Sequence, residues 1–194
     1  MQHLSLQIIQ EEHASLAAML QSMRMLVERG PADNPQQFFD VLRAMLFYID
    51  EFPERLHHTK ETDLLFPCVL RAVPALAATI ARLDRDHALG EEAVRELQHL
   101  LLAWELLGES RMPAFVEKVQ RYLAFYLEHM RTEETVILHE AKRSLSAAEW
   151  QALDRAFEEN RDPLTGRYPP DPAYDRLFTR IVMKTPAPIG LGGT

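Results

Sequence analysis

The chain has 194 residues, 47% hydrophobic and 26% charged, with a formal net charge of −8 and a single cysteine, Cys68. That length suits one domain with a buried core, and the acidic balance argues against a nucleic-acid surface. One cysteine excludes an intrachain disulfide framework, no stretch approaches the roughly 20 apolar residues that span a bilayer, and the first residues do not read as a signal peptide, so a cytoplasmic protein is expected.

Over residues 4–29, Leu6, Ile9, His13, Leu16, Leu20, Met23 and Val27 recur at spacings of three and four, predicting an amphipathic helix closed by Gly30-Pro31. His13 stands on the inward stripe, with Glu11 and Glu12 expected on other faces. Taken alone, it would be a core histidine. Asn34-Pro35 predicts an N-cap and a first-turn proline for a second helix running to the high 60s, with Pro53 inside it and a kink or break expected near Phe52. Beyond Pro53 come His57, His58 and Glu61. Only His57 stands four residues before Glu61, so His57 is taken as inward and His58 as the competing assignment.

Pro74 opens a third helix with Leu76, Ile80, Leu83, His87, Gly90 or Glu91, Val94 and Leu101 along one side, ending near Gly108. Gly90 should cost about 1 kcal/mol against alanine in a helix interior, and a close backbone approach would account for it. Pro113 opens a fourth helix, whose stripe is Val119, Tyr122, Tyr126, His129, Glu133 and Val136 or Ile137. The two tyrosines read as core aromatics, with Tyr126 also a candidate to support or gate His129 from one turn away. Ser146 to Glu149 forms a capping box for a short fifth helix through about Asn160, and Asp171-Pro172 is expected to cap a sixth carrying Tyr174, Leu177, Phe178, Ile181 and Val182. A turn-rich stretch through Pro169-Pro170 separates them, and the tail through Gly192-Gly193 should be irregular.

The expected fold is therefore all-α: an antiparallel up-down four-helix bundle over residues 1–145, with two short C-terminal helices in residues 146–194 as part of the same structural unit. Those last helices are expected to pack on the bundle or to form a homodimer contact.

One pattern recurs on three of the helices: His57-x-x-x-Glu61, His87-x-x-x-Glu91 and His129-x-x-x-Glu133. Residues four apart share a helix face, so each copy presents an imidazole beside a carboxylate. At about 1.5 Å rise per residue, the pairs and His13 fall within one or two turns of a common height. As surface pairs they would be worth only tenths of a kcal/mol each. Buried together without a cation, seven ionisable groups would be very costly to desolvate.

Four imidazoles (His13, His57, His87, His129) and three carboxylates (Glu61, Glu91, Glu133) are too many donors for one tetrahedral zinc. They are too nitrogen-rich for calcium or magnesium. Two iron ions bridged by carboxylates match the count, in a non-haem di-iron centre. The Glu-x-x-His motif of the other di-iron bundle class is absent. His3, His99 and His139 are set outside the centre.

The ordered set of His13, His57-His58-Thr59-Lys60-Glu61 with Leu65-Phe66-Pro67, Asp86-His87-x-x-Gly90-Glu91 and His129-x-x-x-Glu133-Glu134 resembles the hemerythrin-like proteins with an HHE cation-binding domain. The resemblance covers roughly residues 5–145, and Asp162-Pro163-Leu164 with Pro186-Ala187-Pro188-Ile189-Gly190 look like a subgroup with a C-terminal helical extension. It implies that His13 and His57 bind one iron, that His87, Glu91 and His129 bind the other, and that Glu61 and Glu133 bridge. Glu91 stands where the oxygen carriers of the family have a histidine. A carboxylate there should lower the reduction potential and disfavour simple O2 carriage.

Three functions compete on these residues. The first is a di-iron protein that binds O2 or a related small ligand for sensing, scavenging or iron handling. The second is an oxidoreductase turning over peroxide or nitric oxide (NO) at the same centre. The third is a metal-independent helical module for dimerisation.

Overall fold

The computed structural model describes residues 3–31, 34–168 and 171–191, and among them the chain is all-α, without a strand. Pro169, Pro170, Gly192 and Gly193, expected in turns and tail, lie outside the described residues. Among the described residues six helices follow one another. α1 is Leu4–Arg29, α2 spans 35–72, α3 is Ala77–Leu107, α4 spans 112–144, α5 is Ala147–Glu158 and α6 is Asp175–Lys184. The first four pack in the cyclic order α1, α2, α3, α4, each against its neighbours, as expected of an up-down bundle.

Local chemistry sets the helix ends. Asn34 accepts the Gln37 backbone N–H with Pro35 in the first turn, and Ser146 and Glu149 close the capping box of α5. Gly30 and Gly108 end α1 and α3 at φ 72° and 88°, a region that favours glycine. Asp171 differs from expectation. Its carboxylate accepts the Ala173 N–H and closes a turn, and α6 starts four residues later.

Pro53 does not break α2. The helix widens into a π-helical segment over Asp50–His57, returns to α geometry, and widens again over Glu61–Leu65. Proline has no N–H and its ring crowds the carbonyl four residues back, so a wider turn lets the helix continue. α4 has a similar segment at Glu133–Ile137. All three segments start or end on a histidine or glutamate of the sequence motif.

Two apolar clusters fill the bundle. One holds Leu16, Leu20, Met45, Val94, Trp104 and Tyr122, and the other holds Leu6, Ile9, Phe66, Leu83, Ile137 and Phe157. Between them lies a layer of buried ionisable side chains, so the polar groups divide the core rather than line its surface. The C-terminal segment covers this layer from one side. Ser5 donates to Asp154, Lys60 donates to the Ala156 carbonyl, Tyr48 donates to Asp162, and Phe178 and Ile181 of α6 join the first cluster.

Candidate metal centre

His13 of α1, His57, His58 and Glu61 of α2, His87 of α3, and His129 and Glu133 of α4 are all buried in the dividing layer. Their donor atoms form two groups that share Glu61: His13, His57, Glu61 and Glu133, and His58, Glu61, His87 and His129. Within each group the donor atoms lie within 4.8 Å of one another. His13 Nε2 stands 3.1 Å from His57 Nε2, and His87 Nε2 stands 3.0 Å from His129 Nε2. Glu133 reaches both groups, with Oε2 3.3 Å from His13 Nε2 and Oε1 3.1 Å from His129 Nε2. Glu61 does the same, at 3.3 Å from His57 Nε2 and 3.5 Å from His87 Nε2.

The outer edge of each ring is held in turn. His13 Nδ1 meets Glu134 at 3.0 Å, His57 Nδ1 meets Glu12 at 2.7 Å, and His58 Nδ1 meets Glu54 at 3.0 Å. His87 Nδ1 lies 2.9 Å from the Thr62 hydroxyl, which itself donates to Asp84 at 3.0 Å. His129 Nδ1 stands 3.6 Å from Asp86, beyond hydrogen-bond reach. A carboxylate or an already donating hydroxyl at Nδ1 requires that nitrogen to donate. The lone pair of the neutral ring is then on Nε2, facing the centre of the layer. Outer-shell partners of this kind orient the histidine ligands of metal sites.

Sequence reasoning placed Glu12 on another face and did not single out Glu54. Both are buried, and both hold histidines. Glu12 also accepts from Asn160 Nδ2 at 3.0 Å, and Glu54 Oε1 accepts the hydroxyls of Tyr122 and Tyr126 at 2.8 and 2.6 Å. Tyr126 thus acts on Glu54 and, through it, on His58, rather than on His129 alone. Gly90 makes room for this arrangement: a Cβ there would overlap the Tyr126 hydroxyl and stand 3.1 Å from Glu54 Oε1.

Two expected assignments differ. The choice of His57 over His58 assumed plain α geometry, but with π-helical turns on either side both histidines are buried against the layer. Glu91 is exposed, pairs with Arg95 one turn on, and belongs to neither donor group. The inward position after His87 is Gly90, three residues on, so the fourth residue falls outside. The converging set is therefore five imidazoles and two carboxylates.

The electrostatics fit cations. Glu61 and Glu133 are fully buried, yet no well-aligned hydrogen bond reaches any of their four oxygens among the described residues. Buried carboxylates without aligned hydrogen bonds are costly, and facing imidazole lone pairs repel unless a proton or a metal lies between them. Without a metal, protons do that work. Burial pushes His13 down, but Glu133 and Glu134 prevail and raise it to about 9. His87 also reaches about 9, with Glu133 and Glu61 outweighing burial. Burial and Glu133 push Glu61 up, but His57 and His87 prevail and hold it at about 2. His58 is the exception: burial, with His87 and His57 beside it, drives it well below the usual imidazole range.

A pocket of about 350 Å³ between α2 and α3 reaches His58 and His87 from the surface, and Glu91 stands on its wall. No helix among the described residues is long and apolar enough to cross a membrane. A family model described as the hemerythrin HHE cation-binding domain matches residues 4–141. No curated protein matches the chain.

Proposed function

Because the chain belongs to the hemerythrin HHE cation-binding family, we propose that it holds a non-haem di-iron centre and binds O2 or a related small ligand there, for sensing, scavenging or iron handling. The observation that carries this reading is the pair of donor groups sharing Glu61, with four carboxylate oxygens left without well-aligned hydrogen bonds in a buried layer. His13 and His57 would serve one ion. His58, His87 and His129 would serve the other, and Glu61 and Glu133 would stand between the two. When bound, the metal pair supplies reversible one- and two-electron chemistry toward a small ligand.

The chain's own residues do the rest. Glu134, Glu12, Glu54 and Thr62 fix the ring tautomers and aim Nε2 inward. The apolar clusters above and below bury the layer, so the carboxylates interact in a low-dielectric setting. With Glu91 outside the donor groups, an extra terminal carboxylate no longer lowers the potential, and the objection to reversible ligand binding lapses.

Turnover of peroxide or NO is the second reading. Tyr122 and Tyr126, two buried phenols hydrogen-bonded to the glutamate that holds His58, favour it because they are oxidisable groups beside the same half of the layer. The metal-independent module would leave the costly layer without a purpose.

Anaerobic reconstitution with Fe(II) tests the proposal. About two irons per chain are expected, with an oxo-bridged diferric absorption band on admission of air. A chain that retains no iron sinks it. Catalytic consumption of peroxide or NO over many equivalents would select the second reading.

A further inference from the structure

We infer that the pocket between α2 and α3 is the loading port of the centre, an acidic vestibule that draws hydrated divalent cations to His58 and His87; this rests on the proposed metal centre. Among the described residues four carboxylates line it, Glu54, Asp63, Asp84 and Glu91, and no lysine or arginine does. Asp84 is anchored by the Thr62 hydroxyl, whose oxygen also meets His87 Nδ1, so the vestibule and the donor group are joined through one side chain. Glu91 shares its charge with Arg95, while no ion pair holds Asp63 or Asp84 among the described residues.

The independent mark of a ligand is the floor of the pocket. His58 is 3% exposed, lines the cavity and belongs to a four-residue donor group. Its Nδ1 is held by Glu54, and no hydrogen bond to its Nε2 is found among the described residues. A nearly buried imidazole with a free lone pair, beneath carboxylates and beside Glu61, is a path of rising affinity for a cation.

The other approaches lack this combination. The void beside Glu12 and His57 measures about 10 Å³, too small to pass a hydrated ion. A depression of about 460 Å³ touches His13, but its one carboxylate, Glu134, already bonds that ring, and Arg131 stands on its wall. The port also gives Glu91 a role that its exposure allows, which is attraction rather than ligation.

A cleft lined by one sign of charge raises the arrival rate of an opposite ion by about 10- to 1,000-fold, and salt removes the effect. The test is stopped-flow uptake of Co2+ by the metal-free full chain, followed by visible absorbance. The parent is compared with the double variant Asp63→Asn, Glu91→Gln, which leaves Asp84 in place because it holds the Thr62 hydroxyl at His87. A control removes two exposed charges elsewhere: Glu28→Gln, Glu117→Gln. Circular dichroism checks that all three fold.

The port variant should load about tenfold more slowly at low ionic strength, with unchanged final stoichiometry. The control should stay within about twofold of the parent, and the parent's own rate should fall steeply as NaCl is added. Port and control variants loading at equal rates would overturn the port and leave the metal centre standing, and a salt-independent parent rate would do the same. A lower final stoichiometry in the port variant would make the acids ligands and also overturn it. A parent chain that takes up no Co2+ would remove the metal centre and the port together.

Discussion

Glu54 Oε2 accepts from His58 Nδ1 at 3.0 Å, and the other oxygen of Glu54 takes the hydroxyls of Tyr122 and Tyr126. One carboxylate thus ties α2 to α4 and sets the tautomer of an imidazole in the dividing layer. Glu54→Ala should weaken cation binding at the His58 half by about 10- to 100-fold, the usual effect of losing an outer-shell partner. The His13 half keeps Glu12 and Glu134 and should bind as before. A Co2+ titration resolving two steps checks this, and equal losses at both steps would contradict it.

Gly90→Ala should destabilise the metal-free protein by about 1–3 kcal/mol through overpacking, despite the gain of about 1 kcal/mol in helix propensity. The new methyl would overlap the Tyr126 hydroxyl. Combining it with Tyr126→Phe removes the overlapped oxygen, so the double variant should lose less than the sum of the single ones. Urea denaturation of the four proteins measures the coupling.

How far the site could be read in advance follows from helix geometry. His13, His57, His87, His129, Glu61 and Glu133 were visible because α-helical spacing carries them to one height. His58 was ambiguous because π-helical turns, which have no simple sequence signature, bring it in beside His57. The same pattern in reverse order, Glu54-x-x-x-His58, would have pointed to Glu54. Glu91 matched the spacing but not the face, since Gly90 occupies the inward position on α3. Asn160 and Asp162 lie at the end of α5 and in the turn beyond it, where no periodicity shows which side faces the core.

Cation binding should release protons and strengthen with pH. His13 and His87 sit at about 9 without metal, so both carry a proton at neutral pH that a cation must displace. Their raised values stabilise the metal-free fold fully below about pH 6.5, and that contribution is lost as pH rises through 9. The melting temperature of the metal-free chain should therefore fall across that window, while that of the loaded chain changes less. Calorimetric titration in buffers of different ionisation enthalpy would count the protons, and a buffer-independent enthalpy would refute the claim.

Asp162 has the opposite sign. Burial raises it from 3.8 to about 7, although Tyr48 and the Leu164 N–H both favour the charged form. A carboxyl raised in the folded state adds its stability below pH 3.8 and loses it as pH climbs through about 7. Asp162→Asn keeps an acceptor for Leu164 and removes the buried charge. Relative to the parent, it should gain stability steadily between about pH 4 and 8, read as the difference in urea midpoint.

Glu133→Gln tests whether the dividing layer exists for a metal. The substitution preserves shape but removes one of the two charges that face four imidazoles, and an amide is a poor bridge between cations. A ligand that binds only the folded state stabilises it by about 2.7 kcal/mol at a hundred times its dissociation constant. Anaerobic Fe(II) should therefore raise the melting temperature of the parent by several degrees and that of the variant by much less. A metal-independent module predicts no rise in either protein, so a flat response in the parent would favour that third reading. The variant is a sharper probe than His87→Ala, which would also open a void against Phe66 and His58, rings stacked on His87 at 5.5 and 4.3 Å.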